Sequence, residues 1–71
     1  MDLIPVRCRI PDLLERKGKN QQWLAEKTGM RKQRISDIVH LRMDNISIKR
    51  AALIAYHLEC RLDDLFEWEW R

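Results

Sequence analysis

The chain has 71 residues, 35% of them charged and 45% apolar, with a formal net charge of +3. Such a length makes one small domain, residues 1–71, whose core is marginal unless a metal, a disulfide or self-association supports it. Two glycines and two prolines leave no low-complexity linker. No apolar run approaches the roughly 20 residues of a membrane span, and the first residues lack the basic-then-apolar layout of a signal peptide, so the expected setting is cytoplasmic.

Cys8 and Cys60 are far apart, without C-x-x-C spacing or a histidine pair to complete a zinc site. They read as small buried hydrophobes, and no cofactor is expected. A disulfide between them requires the two chain ends to meet. The charge is unevenly placed: residues 7–50 carry twelve Lys/Arg against five Asp/Glu, whereas residues 51–71 carry two against five. A basic stretch followed by an acidic end suits one face for a polyanion and another for a different contact.

Val6-Arg7-Cys8-Arg9-Ile10 alternates apolar and basic residues, the period of a half-buried strand over about 5–10. Pro11 then fits the start of a helix over about 11–17, with Ile10, Leu13 and Leu14 as its apolar stripe and Gly18 as its stop. Asn20 caps a second helix over about 21–28, whose inward residues are Leu24, Ala25 and Thr28 and whose end is Gly29. After Met30 and Arg31, Ile35, Ile38 and Val39 mark a third helix over about 32–40. Ser47 caps a fourth over about 48–58, with Ile48, Ala51, Ala52, Ile54, Ala55 and Leu58 as its stripe, and a short fifth helix is expected around Asp63–Phe66.

Phe66-Glu67-Trp68-Glu69-Trp70 alternates apolar and acidic residues and so complements the first strand. A two-stranded sheet joining the ends, within one chain or between two, would gather Val6, Cys8 and Ile10 with Phe66, Trp68 and Trp70 on one face. On the other face it would set Arg7 and Arg9 against Glu67 and Glu69.

Residues 21–40 form two short helices joined by a tight glycine turn, with the small Ala25 facing the joint. That spacing fits a helix-turn-helix and equally any αα-corner. The charges separate the two readings. Arg31, Lys32 and Arg34 begin the third helix and Lys49 and Arg50 the fourth, where the helix dipole disfavours cations. Two helix amino termini loaded against their dipoles point to an anionic partner, and phosphate fits.

Gln21-x-x-Leu24-Ala25-Glu26-Lys27-Thr28-Gly29-Met30 and Ile35-Ser36-x-Ile38, followed by Ala51-x-x-Ile54-Ala55-x-x-Leu58-x-Cys60-x-Leu62-Asp63-Asp64-Leu65-Phe66, resemble the Cro and phage-repressor (XRE) class of helix-turn-helix transcriptional regulators. The resemblance covers residues 10–66. It implies an all-α, five-helix repressor-like domain that lays its third helix in the DNA major groove, usually as a homodimer on a near-palindromic operator. Position by position it assigns base reading to Lys32, Gln33 and Asp37. It sets Arg31 and Arg34 at the groove edge and gives backbone contacts to Gln21, Arg42 and Asn45. The cations Lys49 and Arg50 are expected to join them on phosphate.

Where many relatives read Glu-Asn-Gly after the third helix, this chain has Val39-His40-Leu41, and Glu59 replaces the common glycine after the fourth. No catalytic constellation is evident. His40 and His57 are isolated, Asp63 and Asp64 are adjacent and point apart on a helix, and neither Ser36 nor Ser47 sits in a nucleophile elbow. The expected function is therefore a sequence-specific DNA-binding regulator, a repressor of phage, mobile-element or bacterial promoters, with double-stranded DNA and a second copy of the chain as partners. The alternative is a protein-interaction module on the same scaffold, anchored by Phe66, Trp68 and Trp70. RNA binding ranks below both, since the basic–aromatic sheet of single-strand readers is missing.

Overall fold

A computed structural model describes residues 1–42 and 46–71. Strand β1 (Leu3–Cys8) pairs antiparallel with the last element, β2 (Phe66–Trp70). Between them run four α-helices: α1 (Ile10–Lys17), α2 (Gln21–Thr28), α3 (Lys32–Val39) and α4 (Ile48–Leu58). A single 3₁₀ turn (Leu62–Leu65) leads from α4 into β2. Among the described residues no helix is long and apolar enough to cross a membrane.

The helix boundaries follow local chemistry. Asn20 Oδ1 accepts from the Trp23 N–H at 2.9 Å and caps α2, and Ser47 Oγ accepts from the Arg50 N–H at 3.2 Å and caps α4. Three helices end in the same paired backbone bonds, with one left-handed residue after the last turn. After α1 that residue is Gly18, at φ +70°. After α3 it is Leu41 and after α4 it is Glu59, both at φ +56°. The glycine replacements noted in the sequence therefore keep the glycine conformation instead of rerouting the chain.

Each helical segment sends one side chain to the centre: Ile10, Leu24, Ile35, Ile54 and Leu65 are all essentially inaccessible to water. Burying each is worth about 1.5–3 kcal/mol relative to exposure, the main favourable contribution in so small a core. Leu13, Leu14, Ala25, Ile38, Ala51, Ala55 and Leu58 surround them. Two residues expected on the stripe of α4 do not join it. Ala52 lies one step round the helix from Ala51 and faces solvent, and Ile48, in the first turn, is 78% exposed.

The expected fifth helix around Asp63–Phe66 is replaced by the 3₁₀ turn, so the described residues form four α-helices. The Arg61 N–H donates to Asp64 Oδ2 at 3.1 Å, which starts the turn, and Leu65 is buried at its end. The Leu65 carbonyl then accepts from the Arg9 N–H at 2.8 Å, which holds the chain extended and makes Phe66 the first residue of β2.

The sheet closes within the chain. Cys8 lies opposite Phe66, Arg7 opposite Glu67, Pro5 opposite Trp68, Ile4 opposite Glu69 and Leu3 opposite Trp70, with a bulge at Val6. Arg7 donates to Glu67 across the strands and to Asp12 Oδ2 at 2.7 Å in the first turn of α1. Of the expected pairing of Arg7 and Arg9 with Glu67 and Glu69, the part that involves Arg9 is absent because Arg9 has left the strand to begin α1, and Glu69 pairs with Arg71 instead. Ile10 likewise belongs to α1, and the bulge leaves Val6 without an opposite number. Cys8 and Phe66 pack on the core, whereas Trp68 and Trp70 remain 43% and 66% exposed. Both cysteines are free thiols although the ends meet.

Candidate nucleic-acid interface

The joint between α2 and α3 is built from small and polar parts. Gly29 ends α2 at φ +72°, and Ala25, 7% exposed, lets α3 approach. The Thr28 hydroxyl donates to the Leu24 carbonyl at 2.8 Å and accepts from the Met30 N–H at 3.3 Å, which satisfies the turn's inner polar groups. Leu24, Ile35 and Ile38 then fix the pair against the core, and α2 also packs on α4. This is a helix-turn-helix, with the solvent face of α3 held rigidly outward.

Between that face and the first turns of α4 runs an open groove of about 760 Å³. Arg31, Gln33, Arg34 and Asp37 line one wall, and Ser47, Lys49, Arg50 and Leu53 the other, with Thr28, Gly29 and Met30 closing one end. Four cations thus face one carboxylate. Arg31, the residue before α3, provides no side-chain cap, so the first N–H groups of that helix keep their outward partial charge. Among the described residues no carboxylate lies within ion-pair distance of Arg31, Lys32, Arg34, Lys49 or Arg50, whereas Arg7, Lys17, Arg42, Arg61 and Arg71 are all paired.

The expected site residues divide accordingly. Arg31, Gln33, Arg34, Asp37, Lys49 and Arg50 share the groove. Lys32, in the first turn of α3, is exposed beside it, and Gln21 is half-buried at the start of α2. Asn45 lies outside the described residues. Arg42 is turned onto α3: its Nε donates to Asp37 Oδ1 at 3.1 Å and its Nη2 to Ser36 Oγ at 3.1 Å. Gln33 Nε2 reaches the same Asp37 Oδ1 at 3.0 Å. The Arg42 and Gln33 hydrogen bonds, with Arg34 adding charge, hold the Asp37 carboxyl below its ordinary range.

Sequence reading missed Leu53, whose spacing from Lys49 and Arg50 places it on the same helix face and could have marked it. It also missed the capture of Arg42 by Asp37, which no helical spacing encodes.

The arrangement can receive a rod of phosphates along the rims of the groove while Gln33 and Asp37 line its α3 wall and Lys32 stands exposed beside it. Residues 8–70 match the Cro/C1-type HTH DNA-binding domain, and the chain belongs to that family. It is 38% identical over 63 residues to YopS, an SPbeta prophage-derived uncharacterized HTH-type transcriptional regulator of Bacillus subtilis (strain 168), covering 89% of this chain and 85% of the relative. It is 31% identical over 67 residues to YotL, another SPbeta prophage-derived uncharacterized HTH-type transcriptional regulator of the same organism, covering 94% and 84%.

Proposed function

We propose that residues 1–71 act as one helix-turn-helix unit that represses transcription from phage, mobile-element or bacterial promoters by occupying an operator. The observation that carries this reading is the cluster of cations at the amino ends of α3 and α4, without ion-pair partners among the described residues and set around one open groove on the helix-turn-helix face. The relatives' names, both transcriptional regulators of prophage origin, support the same setting.

In this reading α3 enters the major groove. Lys32 donates to guanine O6 and N7, Gln33 pairs with adenine and Asp37 accepts from cytosine N4. Arg31, Arg34, Lys49, Arg50 and the amino end of α2 at Gln21 hold phosphates and set the register. Two copies occupy half-sites about one helical turn apart and block polymerase. The surface that brings the copies together is the aromatic face of the sheet, Phe66, Trp68 and Trp70, where two large rings stand in solvent. No catalytic step is involved.

The test is selection of bound fragments from sheared genomic DNA near physiological salt, followed by sedimentation of the chain with and without the recovered site. A short motif with two-fold symmetry, bound by two copies, is the expected result. Trp68→Ala with Trp70→Ala should leave half-site binding and lose the second copy. Absence of any enriched sequence from a folded protein would remove the DNA-reading function. An asymmetric motif would remove the dimer.

A further inference from the structure

The carboxylate in the groove poses an electrostatic problem. A charge at Asp37 faces the same phosphates that Arg31, Arg34, Lys49 and Arg50 attract, and screening over about 8 Å does not hide it. The fold answers with Arg42. The chain leaves α3 with the Leu41 N–H on the Ile38 carbonyl at 3.1 Å and the Arg42 N–H on the Asp37 carbonyl at 2.8 Å. In this helix ending the residue two past the cap comes back over the last turn, and an apolar contact frequently accompanies it. Here an ion pair takes that place, because the backbone itself stacks Arg42 on Asp37.

The bonds are one-sided. Arg42 Nε and Gln33 Nε2 both donate to Oδ1, and among the described residues nothing donates to Oδ2. Arg42 is in turn fixed by Ser36 Oγ. An ionised carboxylate has roughly four acceptor positions, so the clamp leaves Oδ2 free.

Building on the DNA-reading function, we propose that Arg42 is a positioning residue: by clamping Oδ1 and offsetting the charge of Asp37, it converts the carboxylate into a single directed acceptor, Oδ2, that requires a base with an exocyclic amino group. In the major groove those bases are cytosine and adenine; guanine and thymine offer oxygen acceptors there and are rejected. Arg42 is then engaged at the surface by Asp37 and Ser36 of its own chain and is not a phosphate clamp.

The experiment measures the affinity of the full chain for its selected operator and for that operator with each base at the position whose preference changes in Asp37→Asn. Arg42→Ala should weaken operator binding about tenfold and flatten the preference at that one position. In the Asp37→Asn background the same Arg42→Ala change should cost less than about threefold, since its target is gone. Arg42→Lys, which keeps the charge but not the two-point grip, should behave like Arg42→Ala. A phosphate contact predicts otherwise: equal losses in both backgrounds, uniform over all bases, a salt slope lower by about 0.9, and Arg42→Lys near wild type. That pattern would overturn the assignment, as would an Arg42→Ala variant indistinguishable from the parent. Thermal melting separates misfolding from either outcome, because each variant should keep a cooperative transition well above the temperature of the binding measurement. A wild-type chain with no sequence preference would instead reject the DNA-reading function itself.

Discussion

Leu41 and Glu59 occupy the same left-handed backbone state, φ +56°, Leu41 two residues past the end of α3 and Glu59 one past the end of α4. A side chain in this state costs about 1–2 kcal/mol that glycine does not incur. Glu59 recovers a fraction of that through its ion pair with Lys17 at 3.3 Å, most of it in solvent. Glu59→Gly should therefore stabilise the fold by about 0.5–1 kcal/mol, a rise of roughly 2–8 °C in melting temperature. An unchanged or lower midpoint would show that the strain is relieved elsewhere.

Lys49 and Arg50 stand in the first turn of α4 against its dipole. Replacing both with alanine should raise stability, by about 0.3–1 kcal/mol for each cation. The same double variant should bind DNA more weakly, with the slope of log affinity against log salt shallower by about 0.9 for each phosphate that is no longer neutralised. Chemical denaturation and a salt titration on one preparation test both signs together. A variant that is stabler and binds as well as the parent would exclude α4 from the interface.

Cys8 is 6% exposed, and burial pushes its thiol up to about 11. The folded state favours the neutral thiol more than the unfolded chain does. The associated stability is complete below about pH 8.5, the ordinary thiol value, and is lost as pH rises through about 11. Comparing the alkaline limb of the stability curve with that of Cys8→Ala isolates this contribution, since the variant should decline less over that window. At neutral pH iodoacetamide should modify the half-buried Cys60 first and reach Cys8 only as the protein opens.

Leu24 lies at the junction of α2, α3 and α4 with no exposed surface. Leu24→Ala should cost about 2–5 kcal/mol. A chain of this length has on the order of 4–10 kcal/mol in total, so the variant should give up a large share of its stability, melt at a much lower temperature and, to the extent that it unfolds, lose DNA binding on every sequence alike. Circular dichroism melting checks the first expectation and binding to unrelated DNA the second.

What could be read ahead of the structure was whatever a few neighbouring residues decide. Asn20, Ser47, Gly18 and Gly29 mark helix ends through their own side chains or lack of one, and the helix spans they imply match the observed ones within a residue or two. The groove cations were legible for the same reason, because dipole opposition is a local signal. Periodicity failed where it has no power to discriminate. Leu62 and Leu65 are spaced alike for an α-helix and a 3₁₀ turn, and only the Leu65–Arg9 backbone bond ends the element. Alternation could foresee neither the bulge at Val6 nor the start of α1 at Arg9, so of Arg7 and Arg9 only Arg7 meets one of the expected partners, Glu67. The Arg42–Asp37 clamp depends on a leucine accepting a glycine's conformation, which nothing in composition announces.

The Arg71 N–H meets the Asp2 carbonyl at 2.7 Å, so the sheet joins points almost the whole chain apart. Contacts of such long reach form late, because the loop they close must be ordered first, whereas the helix pairs need only their neighbours. The sheet is accordingly a clasp laid over the helices, with its Cys8–Phe66 end packed on the core and its Leu3–Trp70 end exposed. Its far end is the first part to reopen, and amide protons there should exchange with solvent well before those of α2 and α4. Helix α3, set in the middle of the chain, can stay in place while the clasp that joins the two ends reopens.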